Sequence, residues 1–246
     1  MAIRPRPEIE AVEPAVHGGL NYVELERWGL KPEEIIDFSV NINPFGPSPR
    51  APAALAKARL DRYPDSQAVF LRRRLAEVNG LDPENIIVGN GTTEIIRLLA
   101  LTYLRPGDGV LIVGPTFGEY RVASQLMGAR IVTYTAPKEC AFWPDISEIT
   151  SLIQRESPRL IFLCNPNNPT GVYLKRREVE DILAACRGSL PVLDEAYRAF
   201  VTGAWSSASL IKGGSLIILR SMTKDHALAG LRLGYALGDA EVVASL

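Results

Sequence analysis

From Ile86 to Leu237 the chain repeats one alternation. Short apolar runs at Ile86–Val88, Val110–Val113, Ile131–Tyr134, Leu160–Cys164, Pro191–Asp194, Leu216–Leu219 and Leu233–Leu237 are mostly separated by stretches with helical spacing, Ile95–Tyr103, Glu119–Met127, Ile146–Glu156 and Arg177–Cys186. Runs rich in Val, Ile and Leu fit strands buried on both faces, and strands alternating with helices close as a sheet covered on both sides. The predicted fold class is α/β: a three-layer α/β/α domain with a mainly parallel sheet of about seven strands. Ligands of such sheets sit beyond the carboxyl ends of the strands, so the segments leaving each run are where chemistry is expected.

The region before this alternation is less regular. Met1–Pro14 is charged and proline-rich and reads as a free arm. His17-Gly-Gly19 follows, and Ile35–Pro47 begins extended and becomes a Pro/Gly/Asn loop. Ala51–Leu60 reads as a short helix and Arg62-Tyr-Pro-Asp65 as a turn. Gln67–Asn79 places Phe70, Leu71, Leu75 and Val78 at helical spacing and is closed by Gly80. The predicted division is an arm and substrate-side loop over 1–50 and a ligand-binding large domain over 51–246.

Composition removes several function classes. A formal net charge of −1 over 246 residues argues against nucleic acid or a membrane surface as the main partner. No apolar run approaches the ~18 residues of a membrane span, and the first residues lack the apolar core of a signal peptide. Cys140, Cys164 and Cys186 form no close pair, and with two histidines no metal cluster is expected. A reducing cytoplasm is the expected compartment.

The strand ends carry unusual residues. Lys224 follows the run Leu216–Leu219 between the hydroxyls of Ser221 and Thr223. A lysine at such a place is ordinarily just solvated. One strand earlier, however, Leu190–Asp194 delivers Asp194 to the same sheet edge, with Tyr197 close behind. An acid and a lysine there suit a cofactor that needs a charged partner at one end and an amine at the other, which is the demand of pyridoxal 5'-phosphate. Gly89-Asn-Gly-Thr-Thr-Glu94 joins a strand to a helix, where Gly91 lets the backbone approach an anion and the first amides of the helix are free. It is not a dinucleotide fingerprint, because Glu94 stands where a third glycine is needed. Phe117, in Gly114–Tyr120, is an aromatic face for a flat ring, although aromatics at such places usually belong to the core. Asn165-Pro-Asn-Asn-Pro-Thr-Gly171 forms a rigid turn in which Asn168 has a side-chain donor for a ring oxygen. Arg232 has the guanidinium fork that matches phosphate.

These stretches, with Asp194-Glu-Ala-Tyr197 and Ser221–Lys224 followed by Gly230–Tyr235, stand in an order and spacing that resemble the class I/II aminotransferase superfamily, the fold type I enzymes dependent on pyridoxal phosphate. The resemblance runs from about Asp37 to Tyr235. It implies that Lys224 is the Schiff-base lysine and Asp194 the partner of the pyridine nitrogen. Asn168 and Tyr197 then bind the ring oxygen and Phe117 stacks on the ring. Thr92, Thr93, Ser221 and Arg232 bind the phosphate, and Gly91 and Thr223 are further cofactor-binding residues. Tyr63 matches a tyrosine that reaches the phosphate of a neighbouring subunit, which implies a homodimer. Residues 51–246 are then the cofactor-binding domain. Members usually continue for a further segment that holds most of a small domain, so the C-terminal small domain is expected to be missing.

Within the superfamily, His17-Gly-Gly19 and Asp37–Pro47 resemble the threonine-phosphate decarboxylases of cobalamin synthesis more than the histidinol-phosphate aminotransferases. Decarboxylation of a phosphorylated amino acid is therefore the leading expectation. Transamination of histidinol phosphate and an inert cofactor-binding fragment are the alternatives. His17 and Asn43 are the expected contacts to a phosphorylated amino acid or amine. His226, two residues past Lys224, either tunes that lysine or is a solvated loop residue, and the second reading is favoured.

Overall fold

The computed structural model describes residues 3–10 and 12–246. Its centre is a seven-stranded sheet formed by β1 (Ile86–Asn90), β2 (Gly109–Gly114), β3 (Arg130–Thr135), β4 (Leu160–Cys164), β5 (Leu190–Asp194), β6 (Ile217–Ser221) and β7 (Leu233–Leu237), in the order β1-β7-β6-β5-β4-β2-β3. The pairs between β3 and β6 are parallel, whereas β7 runs antiparallel to both β6 and β1.

Alternation of side chains along each strand separates two cores. Leu111, Ile161, Leu163, Leu193 and Ile218 face one side, where they meet Leu75 of α4 (Val69–Asn79), Ile149 and Ile153 of α7 (Ile146–Glu156) and Val179 and Ile182 of α8 (Arg176–Ala185). Val110, Ile112, Phe162, Val192 and Leu219 face the other, against Ile95, Ile96 and Leu99 of α5 (Thr92–Tyr103) and Tyr120 and Ala123 of α6 (Glu119–Leu126). Both faces of β4 and β5 are therefore apolar, which is why these strands read as unbroken apolar runs. Each such Ile or Leu contributes roughly 1.5–3 kcal/mol by leaving water. The predicted three-layer α/β/α arrangement is what the structure shows.

The remaining helices are short: α1 (Pro7–Glu10), α2 (Tyr22–Trp28), α3 (Arg50–Leu55) and, after β7, α9 (Ala240–Ala244). Three departures from the expected elements have physical causes. The arm is not free over its described part, since Arg6 donates to the Leu126 carbonyl at the end of α6. α2 was not anticipated, because only Leu25 of it is buried and no apolar stripe marks it. Its signals are its ends: the Asn21 side chain accepts from the Glu24 amide, and Gly29 closes it with φ 65°. α3 stops at Leu55 rather than Leu60, whose side chain finds no core and is 97% exposed.

Candidate active site

The strand ends open into a cleft of about 990 Å³. Its floor is the sheet edge and its walls come from the start of α5, the start of α6, the loop after β6 and the N-terminal residues 16–18 and 39–42. Phe117, Asn168, Asp194, Tyr197, Ser221, Thr223, Lys224, Arg232 and the Gly91–Thr93 segment all line it.

One end of the cleft is built for an anion. Gly91 caps α5 with φ 76°, leaving the amides of Thr92 and Thr93 in the first turn with no helical partner. The loop is packed closely: a Cβ on Gly91 would lie 2.9 Å from the Arg232 guanidinium, and one on Gly234 would lie 2.6 Å from the Thr92 nitrogen. Ser221 Oγ and Thr223 Oγ1 are 2.7 Å apart, both on this side. A cationic fork, two hydroxyls and free helix amides around a glycine form a donor set for a phosphate monoester.

The other end is built for a cation or a protonated ring. Asp194, at the last position of β5, is 3% exposed. Its Oδ2 accepts from the Tyr120 hydroxyl at 2.7 Å and its Oδ1 from the Ala196 amide at 2.9 Å. Burial pushes its carboxyl above the usual range, and the Tyr120 hydrogen bond opposes that shift. Between the two ends stands Lys224, with its Nζ 5.7 Å from the centroid of the Tyr197 ring. Lys224 makes no ion pair among the described residues. Burial first, and the charge of Arg232 second, hold its amine below the ordinary lysine value. A lysine favoured toward its neutral form is a nucleophile in waiting. Tyr197 shifts the other way: burial raises its phenol, which stays a protonated donor at neutral pH.

The N-terminal segment is strapped across this cleft. His17 Nε2 meets Glu119 Oε1 at 2.8 Å, and Arg97 donates to Glu119 Oε2 at 3.2 Å. The Glu119 side chain is 5% exposed, so a buried carboxylate ties the strap to α5 and α6. The His17 ring leans on Phe117, with centroids 5.6 Å apart. Gly18 crosses so near Ser39 that a Cβ would lie 1.9 Å from the Ser39 carbonyl oxygen, and the Gly19 amide donates to Ser39 Oγ at 2.8 Å.

The structure thus gathers His17 and the expected cofactor-side residues of this chain in one cleft. Asn43 is placed differently. Its amide group donates to the Asp225 carbonyl at 2.9 Å and its backbone nitrogen to the Lys224 carbonyl at 3.0 Å, so it braces the lysine loop and is not among the cleft-lining residues. Asn41, two positions earlier in the same extended stretch, is the asparagine that lines the cleft beside Tyr197. Tyr63 is 98% exposed and away from the cleft of its own chain. His226 is exposed, 3.7 Å from Asp225, and does not line the cleft. Sequence reasoning missed Arg97, Glu119 and Tyr120. Glu119-Tyr120 stands immediately after Phe117-Gly118, but nothing local marks a glutamate whose partners lie 22 and 102 positions away.

The comparisons with known proteins follow this geometry. Residues 33–246 match the family described as aminotransferase class I and II. A histidinol-phosphate aminotransferase of Moorella thermoacetica is 38% identical over 98% of this chain, and the chain covers 63% of that relative. The crystal structure of a histidinol-phosphate aminotransferase from Sinorhizobium meliloti, in complex with pyridoxal-5'-phosphate, superposes with a TM-score of 0.86 at 26% identity, covering all of this chain and 66% of that one. An L-threonine-O-3-phosphate decarboxylase from Porphyromonas gingivalis superposes with a TM-score of 0.71 at 27% identity, over 84% of this chain and 64% of that one. The chain spans about two-thirds of the length of the proteins it matches. The similarity to histidinol-phosphate aminotransferases favours that alternative over the leading expectation of a decarboxylase. With pyridoxal phosphate as the cofactor that the cleft's donor set fits, this chain belongs to the class I and II aminotransferase family.

Proposed function

We propose that this chain forms the cofactor-binding part of a histidinol-phosphate aminotransferase, with an amine–phosphate small molecule as substrate. The observation that carries the reading is the spacing of charge along one cleft, with Arg232 and the α5 amides at one end, Asp194 at the other and Lys224 between them. Bound there, pyridoxal phosphate supplies an electron sink for the charge left when a bond to the substrate's α-carbon breaks. Arg232, Ser221, Thr223 and the Thr92 and Thr93 amides hold its phosphate. Asp194 holds a proton on the ring nitrogen, and Asn168 and Tyr197 donate to the ring oxygen. Phe117 closes one wall against water. Lys224 would anchor the cofactor, and its amine is the group placed to move a proton at the substrate's α-carbon.

The similarity to named relatives supports histidinol phosphate over O-phosphothreonine as substrate. We also read the chain as one half of a homodimer. Phe38, Phe45, Leu60, Tyr63 and Phe70 are each at least 87% exposed, an apolar surface that a second copy would cover. A cytoplasmic location agrees with the buried free thiols of Cys164 and Cys186.

The test has two steps. Borohydride reduction of the pyridoxal-phosphate-loaded protein, followed by peptide mapping, should place the label on Lys224. Single-turnover kinetics should then show amino transfer from histidinol phosphate and no release of carbon dioxide from O-phosphothreonine. Label on another lysine refutes the site. Carbon dioxide release restores the decarboxylase reading. Capture of the cofactor without turnover assigns this chain the binding role alone.

A further inference from the structure

Tyr120 is wholly buried at the second position of α6. Its ring lies flat on Phe162 of β4, with centroids 4.8 Å apart and planes 7° from parallel. Its edge meets the Phe117 ring at 5.6 Å and 82°. Ser124 Oγ donates to its carbonyl at 2.7 Å. From this fixed seat its hydroxyl donates to Asp194 Oδ2 at 2.7 Å, while the Ala196 amide holds Oδ1.

We propose that Tyr120 is a positioning residue for the cofactor's ring nitrogen: its hydroxyl fixes the Asp194 carboxylate and keeps it ionised, and its ring seats Phe117. The inference rests on the reading of Asp194 given above.

The electrostatic argument starts from burial. A carboxylate at 3% exposure is driven toward its neutral form, and a neutral acid cannot hold a proton on a pyridine nitrogen. The groups facing Asp194 come from four places. Glu195, next in the chain, repels its charge, the Tyr197 phenol in the same segment stays protonated beside it, and Lys224, from the loop after β6, attracts it. Cys164, at the end of β4, is a protonated thiol, its pKa pushed by burial to about 12. Tyr120, from α6, is, among the described residues, the one side chain that donates a hydrogen bond to its carboxylate. Burial raises the Tyr120 phenol far above its usual range and Asp194 raises it further, so the tyrosine donates and does not compete as an anion. A carboxylate has about four lone-pair sites, so two donors leave acceptor capacity for the ring nitrogen while locking the carboxylate plane. Phenylalanine at position 120 would preserve the stack on Phe162 and leave Asp194 only the Ala196 amide.

The test reads Asp194 directly, in cofactor-free protein. Aspartate labelled with carbon-13 at the carboxyl gives an Asp194 signal, assigned by its loss in Asp194→Asn, whose chemical shift is followed with pH. Tyr120→Phe should move the midpoint up by about one to two pH units, the loss of one hydrogen bond to a charged group. Phe162→Leu removes the stack but keeps the hydroxyl. It should lower stability and leave the midpoint within about half a unit of wild type. If Tyr120→Phe does not fold, 3,5-difluorotyrosine at position 120, a stronger donor of similar shape, should move the midpoint down. An unmoved midpoint in the folded variant, or an equal shift in Phe162→Leu, overturns the proposal. The reading of Asp194 itself fails on a different result, namely unchanged pyridoxal phosphate affinity in Asp194→Asn.

Discussion

Gly234→Ala is a one-methyl test of how the phosphate cup is built. Gly234 on β7 pairs with Gly89 on β1, and the chain turns from β1 directly over it into α5. A Cβ at 234 would lie 2.6 Å from the Thr92 nitrogen and 2.8 Å from the Gly91 carbonyl carbon, both backbone atoms. Ordinary contact begins near 3.4 Å, so the cup must retreat by about 0.8 Å. An amide drawn back that far from a phosphate oxygen stretches a bond of about 2.9 Å to about 3.7 Å, beyond useful range. Loss of one charge-assisted hydrogen bond of about 1.5–3 kcal/mol should weaken cofactor affinity about 10- to 150-fold. Forcing the methyl into this packing should also lower the stability of the cofactor-free protein by about 1–3 kcal/mol. Spectrophotometric titration with pyridoxal phosphate measures the first effect and urea unfolding the second. Gly230→Ala is the control, because a Cβ there meets nothing within 4 Å. If Gly234→Ala binds cofactor within twofold of wild type and unfolds at the same urea concentration, the loop yields freely and the cup is not braced by β7.

Two charge neighbours of Lys224 should act with opposite sign. Its folded pKa lies below 10.5, so its contribution to stability grows as pH rises from the folded value toward that of the unfolded chain. In competitive acylation of the cofactor-free protein, Lys224 should react with a midpoint below that of the exposed lysines. Arg232→Leu should raise that midpoint and Asp194→Asn lower it, because Arg232 depresses the amine and Asp194 supports it; shifts of one sign in both variants refute the assignment. Arg220→Met should cost roughly 3 kcal/mol in urea unfolding, since it takes from the Glu195 carboxylate, 1% exposed, the guanidinium it meets at 2.9 Å and leaves it the more distant Arg198 at 3.9 Å. Light scattering of the loaded protein should give a dimer, and Tyr63→Ala should loosen cofactor binding about 10-fold if that phenol reaches the neighbour's phosphate; a monomer with full affinity refutes the shared site.

The strands were legible because both faces of the sheet are covered, so Leu160–Cys164 and Leu190–Asp194 had to be apolar throughout. The cleft was legible for a related reason. Residues that leave buried strands, such as Asp194 and Lys224, stand out against an apolar background. What stayed hidden was relational. The antiparallel return of β7 beside β1 has no periodic signature, because parallel and antiparallel buried strands share one pattern. Tyr120 is a core aromatic, and only the position of its hydroxyl against Asp194 gives it a second role. Asn41 and Asn43 both lie in one Asn-rich extended stretch, and which one faces the cleft is decided by where Asn43 finds backbone partners on the lysine loop.

The pairing of β1 with β7 has a consequence for the order of assembly. β1 is an edge strand whose single neighbour lies far along the chain, with Ile86 opposite Leu237. The parallel strands β2 to β6 can zip together as they emerge during synthesis. β1 must wait, with its backbone donors facing water, until some 150 further residues have been made. At about 5–20 residues per second that interval is on the order of ten seconds, and the long loop it closes is the slow kind of contact. The phosphate cup sits at the end of β1 and is braced by β7, so the anion site takes shape only after the parallel strands β2 to β6 are in place. Free pyridoxal phosphate therefore meets a chain whose lysine and whose cup become available together.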